Sequence, residues 1–116
     1  MADIERRNKI FYKGLEYEQS GDYLKAFENY CEAISLSPKK EAGVSAIYAL
    51  AANIAYRNGT YEIAIMLCEN GINACPSLSA NYDLLGRIYL EIGERGKALE
   101  YLKQAEIVAE QEQRDK

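Results

Sequence analysis

The sequence repeats itself three times, and this repetition constrains the fold of the 116-residue chain more than any other feature. Two small residues recur at intervals of 38 and then 34 residues: Gly21, Gly59 and Gly93, and likewise Ala26, Ala64 and Ala98. Self-similarity at such an interval is the signature of stacked units, none of which can bury its apolar face alone. The sequence therefore predicts an array of three similar units that are stabilised by contacts between neighbours.

Each unit has the pattern of two helices. Apolar residues recur at steps of three and four between the breakers, and no segment alternates in the manner of a strand. Gly21 suits the left-handed position that closes a helix, and Asp22 can cap the helix that follows. Pro38 and Pro76 end the first two units, because the residue before a proline is pushed out of the helical region. Six helices in three hairpins are predicted.

Small residues mark the places where the two helices of each hairpin should cross. Gly14, Ala52 and Gly86 occupy equivalent places, where only a small side chain permits close approach. The second unit is four residues longer than the third, and the extra residues fall near residues 41–44. This insertion is expected either to lengthen a loop or to add one turn to the third helix.

The order of these residues resembles the tetratricopeptide repeat (TPR) family. Its pattern is a bulky residue, leucine-glycine, tyrosine, alanine, an aromatic residue, alanine and proline within about 34 residues. In the first unit the corresponding residues are Ile10, Lys13, Gly14, Tyr17, Ala26, Tyr30, Ala33 and Pro38. The second unit departs from the pattern at Ala55, Cys68 and Gly71, and the third unit lacks the final proline.

The resemblance implies a fold and a division of the chain. The fold is all-α, a right-handed superhelical solenoid of three helix-turn-helix repeats. A single TPR domain would span residues 1–116, with repeats at about 7–40, 45–78 and 79–112 and a polar C-terminal tail at 111–116. The first helix of each repeat would line a concave groove, a surface that repeat solenoids use to hold peptides or partner helices.

Nine residues beside the packing positions of the repeats are predicted to line this groove and to bind a partner. They are Phe11, Tyr12, Leu15, Leu50, Asn53, Tyr56, Arg57, Leu84 and Arg87. The centre of this set is apolar, with Asn53, Arg57 and Arg87 as scattered donors, which suits a hydrophobic peptide or an amphipathic helix. The alternative is that some of the apolar side chains pack against one another or mediate self-association.

The resemblance also raises one specific binding mode, which the residues argue against. Co-chaperones of this family hold the C-terminal carboxylate of chaperone tails with a clamp of lysine, asparagine and arginine side chains. The corresponding residues here are Phe11, Leu15, Leu50, Ala80 and Leu84. None of these side chains can donate a hydrogen bond, and a carboxylate clamp needs charge-assisted donors. We therefore expect a groove without a carboxylate clamp.

The predicted function is that of a protein–protein interaction module and not of an enzyme. The chain has no histidine, the commonest general base and metal ligand. Its three cysteines form no C-x-x-C pair and are expected to be buried and unreactive. We find no pattern of metal ligands and no phosphate-binding loop, so neither a metal nor another cofactor is predicted. The alternative function is a chaperone for secretion or assembly subunits, because acidic three-repeat chaperones resemble this chain in size and charge.

The charge and hydropathy of the chain argue against nucleic acid and membranes as its partners. The net charge of −4 disfavours nucleic acid as a partner. No apolar run is long enough to insert into a membrane, and the first residues lack the pattern of a signal peptide, so a cytoplasmic location is expected.

The end of the array raises the possibility of self-association. Little chain follows Val108 to cover the last repeat, so Leu99, Leu102 and Val108 are expected to be partly exposed. Solenoids usually finish with a polar capping helix, because the last unit otherwise leaves an apolar face bare. A homodimer through the C-terminal repeat is therefore possible, unless the polar side chains of the last helix cover this face.

Overall fold

The computed structural model describes residues 2–115 and consists of six helices. They are α1 (Ala2–Gln19), α2 (Tyr23–Ser35), α3 (Ala42–Arg57), α4 (Tyr61–Ala74), α5 (Ala80–Glu91) and α6 (Arg95–Arg114). Consecutive helices pair as α1 with α2, α3 with α4 and α5 with α6, and residues 2–115 contain no strand. The predicted all-α fold of three hairpins is confirmed.

The turn inside each hairpin is built on a glycine with a left-handed backbone. The φ angle is +86° at Gly21, +82° at Gly59 and +85° at Gly93, a region that favours glycine. In each turn the N–H of the next residue donates to a carbonyl near the end of the preceding helix, at 2.8, 3.0 and 2.9 Å respectively. This closure satisfies the helix end and reverses the chain, as the spacing of the glycines predicts.

The two helices of the first and third hairpins cross at a glycine. A Cβ added to Gly14 would lie 2.8 Å from Cε1 of Tyr30, and one added to Gly86 would lie 2.6 Å from Cγ of Leu102. Ala52 takes the equivalent place in the second hairpin and is fully buried. A glycine inside a helix costs about 1 kcal/mol relative to alanine, and the close packing of the paired helix compensates for this cost.

The four-residue insertion of the second unit lengthens α3. This helix begins ten residues before Ala52, whereas α5 begins six residues before the equivalent Gly86. Four residues make about one helical turn, so the insertion adds a turn to the N-terminus of α3. At the other end of the chain α6 runs through the polar tail as far as Arg114, and Lys116 lies outside the described residues.

A buried polar cluster joins the second and third repeats. Ser45 Oγ donates to the carbonyl oxygen of Gly71 at 2.7 Å. The Asn81 amide donates to both the carbonyl oxygen and Oγ of Ser45 at 3.1 Å. A Cβ on Gly71 would lie 2.6 Å from Cγ of Asn81, which is only 1% exposed. Gly71 therefore departs from the repeat pattern because the Asn81 side chain occupies the space that an alanine would need.

One apolar core runs through the whole array. Its buried members extend from Ala26 in α2 to Ala98 in α6, and Phe11 and Leu15 of α1 pack against it. The continuous core makes the three hairpins one structural unit. No helix within residues 2–115 is both long and apolar enough to cross a membrane.

The C-terminal repeat adds a small cluster of its own. Tyr82, Ala105 and Val108 are buried together there. The expected exposure of Val108 is therefore wrong, because that side chain is 3% exposed. Leu99 on the opposite face of α6 is 66% exposed, as expected.

The polar cluster leads to a prediction on stability. We expect Gly71→Ala to lower the free energy of unfolding by about 1–3 kcal/mol, because the new methyl group overpacks against Asn81. In the double variant with Asn81→Ala, the loss of unfolding free energy should be at least about 0.5 kcal/mol smaller than the sum of the losses in the two single variants. The losses are not additive because the two residues are in contact. Denaturant unfolding measures both quantities.

The control for this experiment is Gly96→Ala. A Cβ at Gly96 meets no atom within 4 Å, so this change should stabilise α6 by up to about 1 kcal/mol. Strict additivity of the Gly71 and Asn81 changes would contradict the assigned contact.

Candidate partner-binding groove

The predicted binding residues all lie on α1, α3 and α5, the first helices of the three hairpins. Helix α3 packs directly against α5, while α2 packs on α3 and α4 packs on α5. The resemblance to the TPR family implies that the first helices, α1, α3 and α5, form an inner layer along the concave surface of the array. The predicted residues all lie on these helices, and their burial differs from one residue to the next.

Three of them form an aromatic and aliphatic stripe on α1. Tyr12 is 61% exposed, whereas Phe11 and Leu15 are half-buried against the core. The Phe11 ring lies 5.5 Å from the Tyr12 ring and 5.9 Å from the Tyr30 ring, measured between centroids. Phe11 is therefore held by its neighbours, and Tyr12 is the side chain of this stripe that is most accessible to a partner.

The α3 residues occupy the middle of the inner layer. Leu50, Asn53 and Tyr56 are all partly exposed, and Leu50 and Tyr56 also touch the core. The Tyr56 hydroxyl lies 3.5 Å from a carboxylate oxygen of Glu91 at the end of α5. Burial and this nearby carboxylate raise the pKa of Tyr56, so its hydroxyl stays a hydrogen-bond donor at neutral pH.

The two α5 residues contribute less to an apolar groove than their spacing suggests. Leu84 is 6% exposed and belongs to the core, because α3 and α6 both pack on α5. Arg87 is exposed, and its guanidinium forms an ion pair with Asp83 one turn earlier at 2.9 Å. Neither of these two residues therefore adds an exposed apolar side chain to the predicted groove.

Arg57 points away from the other predicted residues. Its guanidinium carbon lies 5.2 Å from the centroid of the Tyr23 ring, which belongs to α2. A cation over an aromatic face is attracted by the negative face of the ring. The last turn of α3 thus directs Arg57 toward the second helix of the first hairpin, and the structure does not bring it together with the stripe on α1.

A tyrosine behind the groove fixes the position of α1. The Tyr30 hydroxyl donates to a carboxylate oxygen of Glu18 at 2.6 Å, and the Tyr30 ring is fully buried beneath Gly14. Burial, with the Glu18 hydrogen bond and charge in second place, raises the pKa of Tyr30. This contact ties the second helix of the hairpin to the helix that carries the aromatic stripe.

A cavity that the sequence did not predict lies between α2 and α4. We call it the outer cavity; its wall includes Tyr23, Leu24, Phe27, Arg57 and Ile63. One feature of the sequence points to this surface: Ile63 occupies the repeat position at which the other two repeats have Lys25 and Lys97. The cavity itself depends on how two non-consecutive helices diverge, which a local pattern does not encode.

The three cysteines differ in burial. Cys31 and Cys75 are partly exposed, so the expected burial holds for Cys68 alone. Burial raises the pKa of Cys68 to about 12, which keeps its thiol protonated and unreactive at neutral pH. Within the described residues, no three potential metal-binding side chains of His, Cys, Asp or Glu gather in one place.

The raised pKa of Tyr30, caused first by burial and then by the contact with Glu18, makes the free energy of unfolding depend on pH in the alkaline range. Because the pKa of Tyr30 is raised in the folded protein, the unfolded chain loses this proton first as the pH rises above about 10. The contribution of Tyr30 to the free energy of unfolding is therefore complete below that pH and decreases as the pH rises above it. We expect the free energy of unfolding to fall more between about pH 9 and about pH 11 for the wild type than for Tyr30→Phe.

Denaturant unfolding at the two pH values measures this difference. Tyr12→Phe is the control, because its ring is mostly solvated and should leave the wild-type difference unchanged. Equal losses in the wild type and Tyr30→Phe would contradict the proposed role of this contact.

Comparison with solved structures supports the architecture. The second TPR domain of Spaghetti (RPAP3), bound to the HSP90 peptide SRMEEVD, matches with a TM-score of 0.81 at 18% identity, over 92% of this chain and 90% of that one. MamA matches with a TM-score of 0.82 at 20% identity, over 93% of this chain and 61% of that one. The TPR2B domain of yeast Sti1, in a complex with pHsp70, matches at 0.79 and 22% identity, over 93% and 81%.

A comparison of sequences identifies the family. No curated protein matched the sequence significantly. The tetratricopeptide repeat model matches residues 11–40 and 79–106, which together make up half of the chain. These matches fall in the first and third units, and the unmatched second unit is the one that contributes Ser45 and Gly71 to the buried polar cluster with Asn81. The chain belongs to the tetratricopeptide repeat family.

Proposed function

We propose that this chain is a protein–protein interaction module that holds a peptide or an amphipathic helix of a partner in its concave groove. The observation that carries the proposal is the aromatic stripe on α1, where Tyr12 is 61% exposed beside Phe11. Leu50 on α3 is also apolar and partly exposed, and the proposal assigns it to the same binding surface. A few apolar anchors of this kind can supply micromolar affinity, about −8 kcal/mol.

The groove is proposed to act without a carboxylate clamp. The five clamp positions carry Phe11, Leu15, Leu50, Ala80 and Leu84, whose side chains have no hydrogen-bond donor. The TPR domains of RPAP3 and Sti1 were solved with an HSP90 peptide and with pHsp70, which supports peptide binding as a use of this fold. In this chain, apolar contact would replace the recognition of a terminal carboxylate.

Several broader features belong to the same proposal. Residues 1–116 would act as a single domain with repeats at about 7–40, 45–78 and 79–112, which the continuous core supports. The module would work in the cytoplasm, without catalysis and without nucleic acid as its partner. The alternative of a chaperone for secretion or assembly subunits uses the same groove and differs in its client.

We also propose that two copies associate through the C-terminal repeat. Leu99 is 66% exposed and Ile107 is 47% exposed, both on α6. Val108 is buried and takes no part in this surface.

Partner capture tests the groove. In affinity capture followed by binding measurements on the captured partner, Tyr12→Glu and Leu50→Glu should each weaken binding at least about tenfold, or 1.4 kcal/mol. Tyr12→Glu is the cleaner variant, because Tyr12 is mostly solvated whereas Leu50 also touches the core. The identity of the captured protein distinguishes a secretion or assembly client from another partner.

The matched control is Met66→Glu, which places the same charge at an apolar side chain of α4 that is 53% exposed. It should leave binding unchanged, and the helical circular-dichroism signal of all three variants should match the wild type. Wild-type affinity in both groove variants would overturn the proposed site.

Sedimentation tests the dimer. The wild type should self-associate at high micromolar concentration, and the double change Leu99→Glu with Ile107→Glu should return it to a monomer, because two charges would be buried without partners. Met66→Glu serves again as the control. A strictly monomeric wild type at this concentration would refute the proposed dimer.

A further inference from the structure

The outer cavity has the size of a ligand pocket and an apolar wall. Its volume is about 470 Å³, within the range of roughly 300–1,000 Å³ that is usual for such pockets. Leu24 and Phe27 of α2 face Ile63 of α4 across it, and the nearly buried Ile54 and Ala55 of α3 form its floor. A bulky apolar side chain of a partner would fit such a space.

The cavity follows from the way the helices pack. Helices α2 and α4 both pack on α3, but in the described residues they do not pack closely on each other. Their first turns lie beside the turns at Gly21 and Gly59, at one edge of the array. A gap over the last turns of α3 therefore remains open between them.

Three bulky side chains around this gap are left in water. Leu24 is 71% exposed, Ile63 44% and Tyr23 43%. The equivalents of Ile63 in the first and third repeats are Lys25 and Lys97, so only the second repeat carries an apolar residue there. Exposed apolar side chains that form a contiguous patch mark an interaction surface more often than single exposed apolar residues do.

Arg57 gives the cavity a charge preference. It is the only charged residue among those that form the wall, and no carboxylate within residues 2–115 forms an ion pair with it. Its guanidinium is held over the Tyr23 ring at 5.2 Å, and a guanidinium held in this way keeps N–H donors for a carboxylate. On a chain with a net charge of −4, this is a local site for an acidic group.

We propose that the outer cavity is a second docking site, occupied by a segment of a partner protein that carries a bulky apolar side chain next to a carboxylate. The apolar side chain enters between Leu24 and Ile63, and the carboxylate pairs with Arg57 at the rim. This site goes beyond the concave groove, because its walls belong to α2 and α4 and not to the inner layer. The array would therefore hold two partner segments on two different surfaces.

A matched pair of peptides tests this proposal. The probes are the capped, fluorescently labelled peptides Gly-Glu-Phe-Leu-Glu-Gly and Gly-Lys-Phe-Leu-Lys-Gly, and their affinities are measured by fluorescence anisotropy. The wild type should bind the acidic peptide about fivefold more tightly than the basic one, as exposed ion pairs allow. Arg57→Glu should reverse this order, and Ile63→Glu should weaken binding of both peptides.

Two control variants separate this site from the groove. Arg95→Glu makes the same change of charge on an exposed arginine of α6, outside the cavity wall, and should keep the wild-type preference. Tyr12→Glu alters the groove and should leave the affinity for the acidic peptide unchanged. These peptide-binding outcomes do not depend on the capture experiment with the groove variants, so the two proposals can fail separately.

Four results would overturn the second site. The first is the absence of saturable binding of the acidic peptide up to about 1 mM. The second is a preference for the acidic peptide that survives Arg57→Glu. The third is binding that Tyr12→Glu abolishes and Ile63→Glu does not. The fourth is self-association of the wild type that Ile63→Glu abolishes, since the cavity would then hold a second copy of the chain.

Discussion

The close crossing of the two helices in each hairpin is the contact on which the rest of the structure depends. At Gly14 and Gly86 a side chain of the paired helix, Tyr30 or Leu102, occupies the space that a Cβ would need. This close crossing sets the distance at which the core side chains of neighbouring repeats meet. It also fixes the face that the first helix of each hairpin turns to the inside of the array, and hence the position of the aromatic stripe.

The two helices of the second repeat also cross closely, but with different residues at the contact. This repeat has Ala52 at the crossing, one more turn at the start of α3 and a glycine at position 71. These departures belong together, because the added turn carries Ser45, which bonds to both Gly71 and Asn81. A buried polar contact of this kind favours one register between neighbouring helices, since any shift would leave its groups unpaired.

Local signals made most of the fold predictable. A left-handed glycine and a proline act on the residues beside them, so the spacing of these residues was sufficient to predict six helices in three hairpins. The candidate site was less predictable, because periodicity assigns a residue to a face but does not tell what packs on that face. Leu84 is buried by neighbouring helices, and Arg57 turns to Tyr23 on a helix distant in sequence. The outer cavity needed the positions of α2 and α4, which no single repeat determines.

The two surfaces differ in chemistry, and the groove on α1 and α3 is the central one. The most direct measurement is a methyl nuclear magnetic resonance titration of the isotope-labelled protein with the segment of its captured partner that binds the groove. We expect saturable shifts at the methyl groups of Leu15 and Leu50, with those of Leu99 and Ile107 unchanged. Saturable binding that leaves Leu15 and Leu50 unperturbed would contradict the proposed groove.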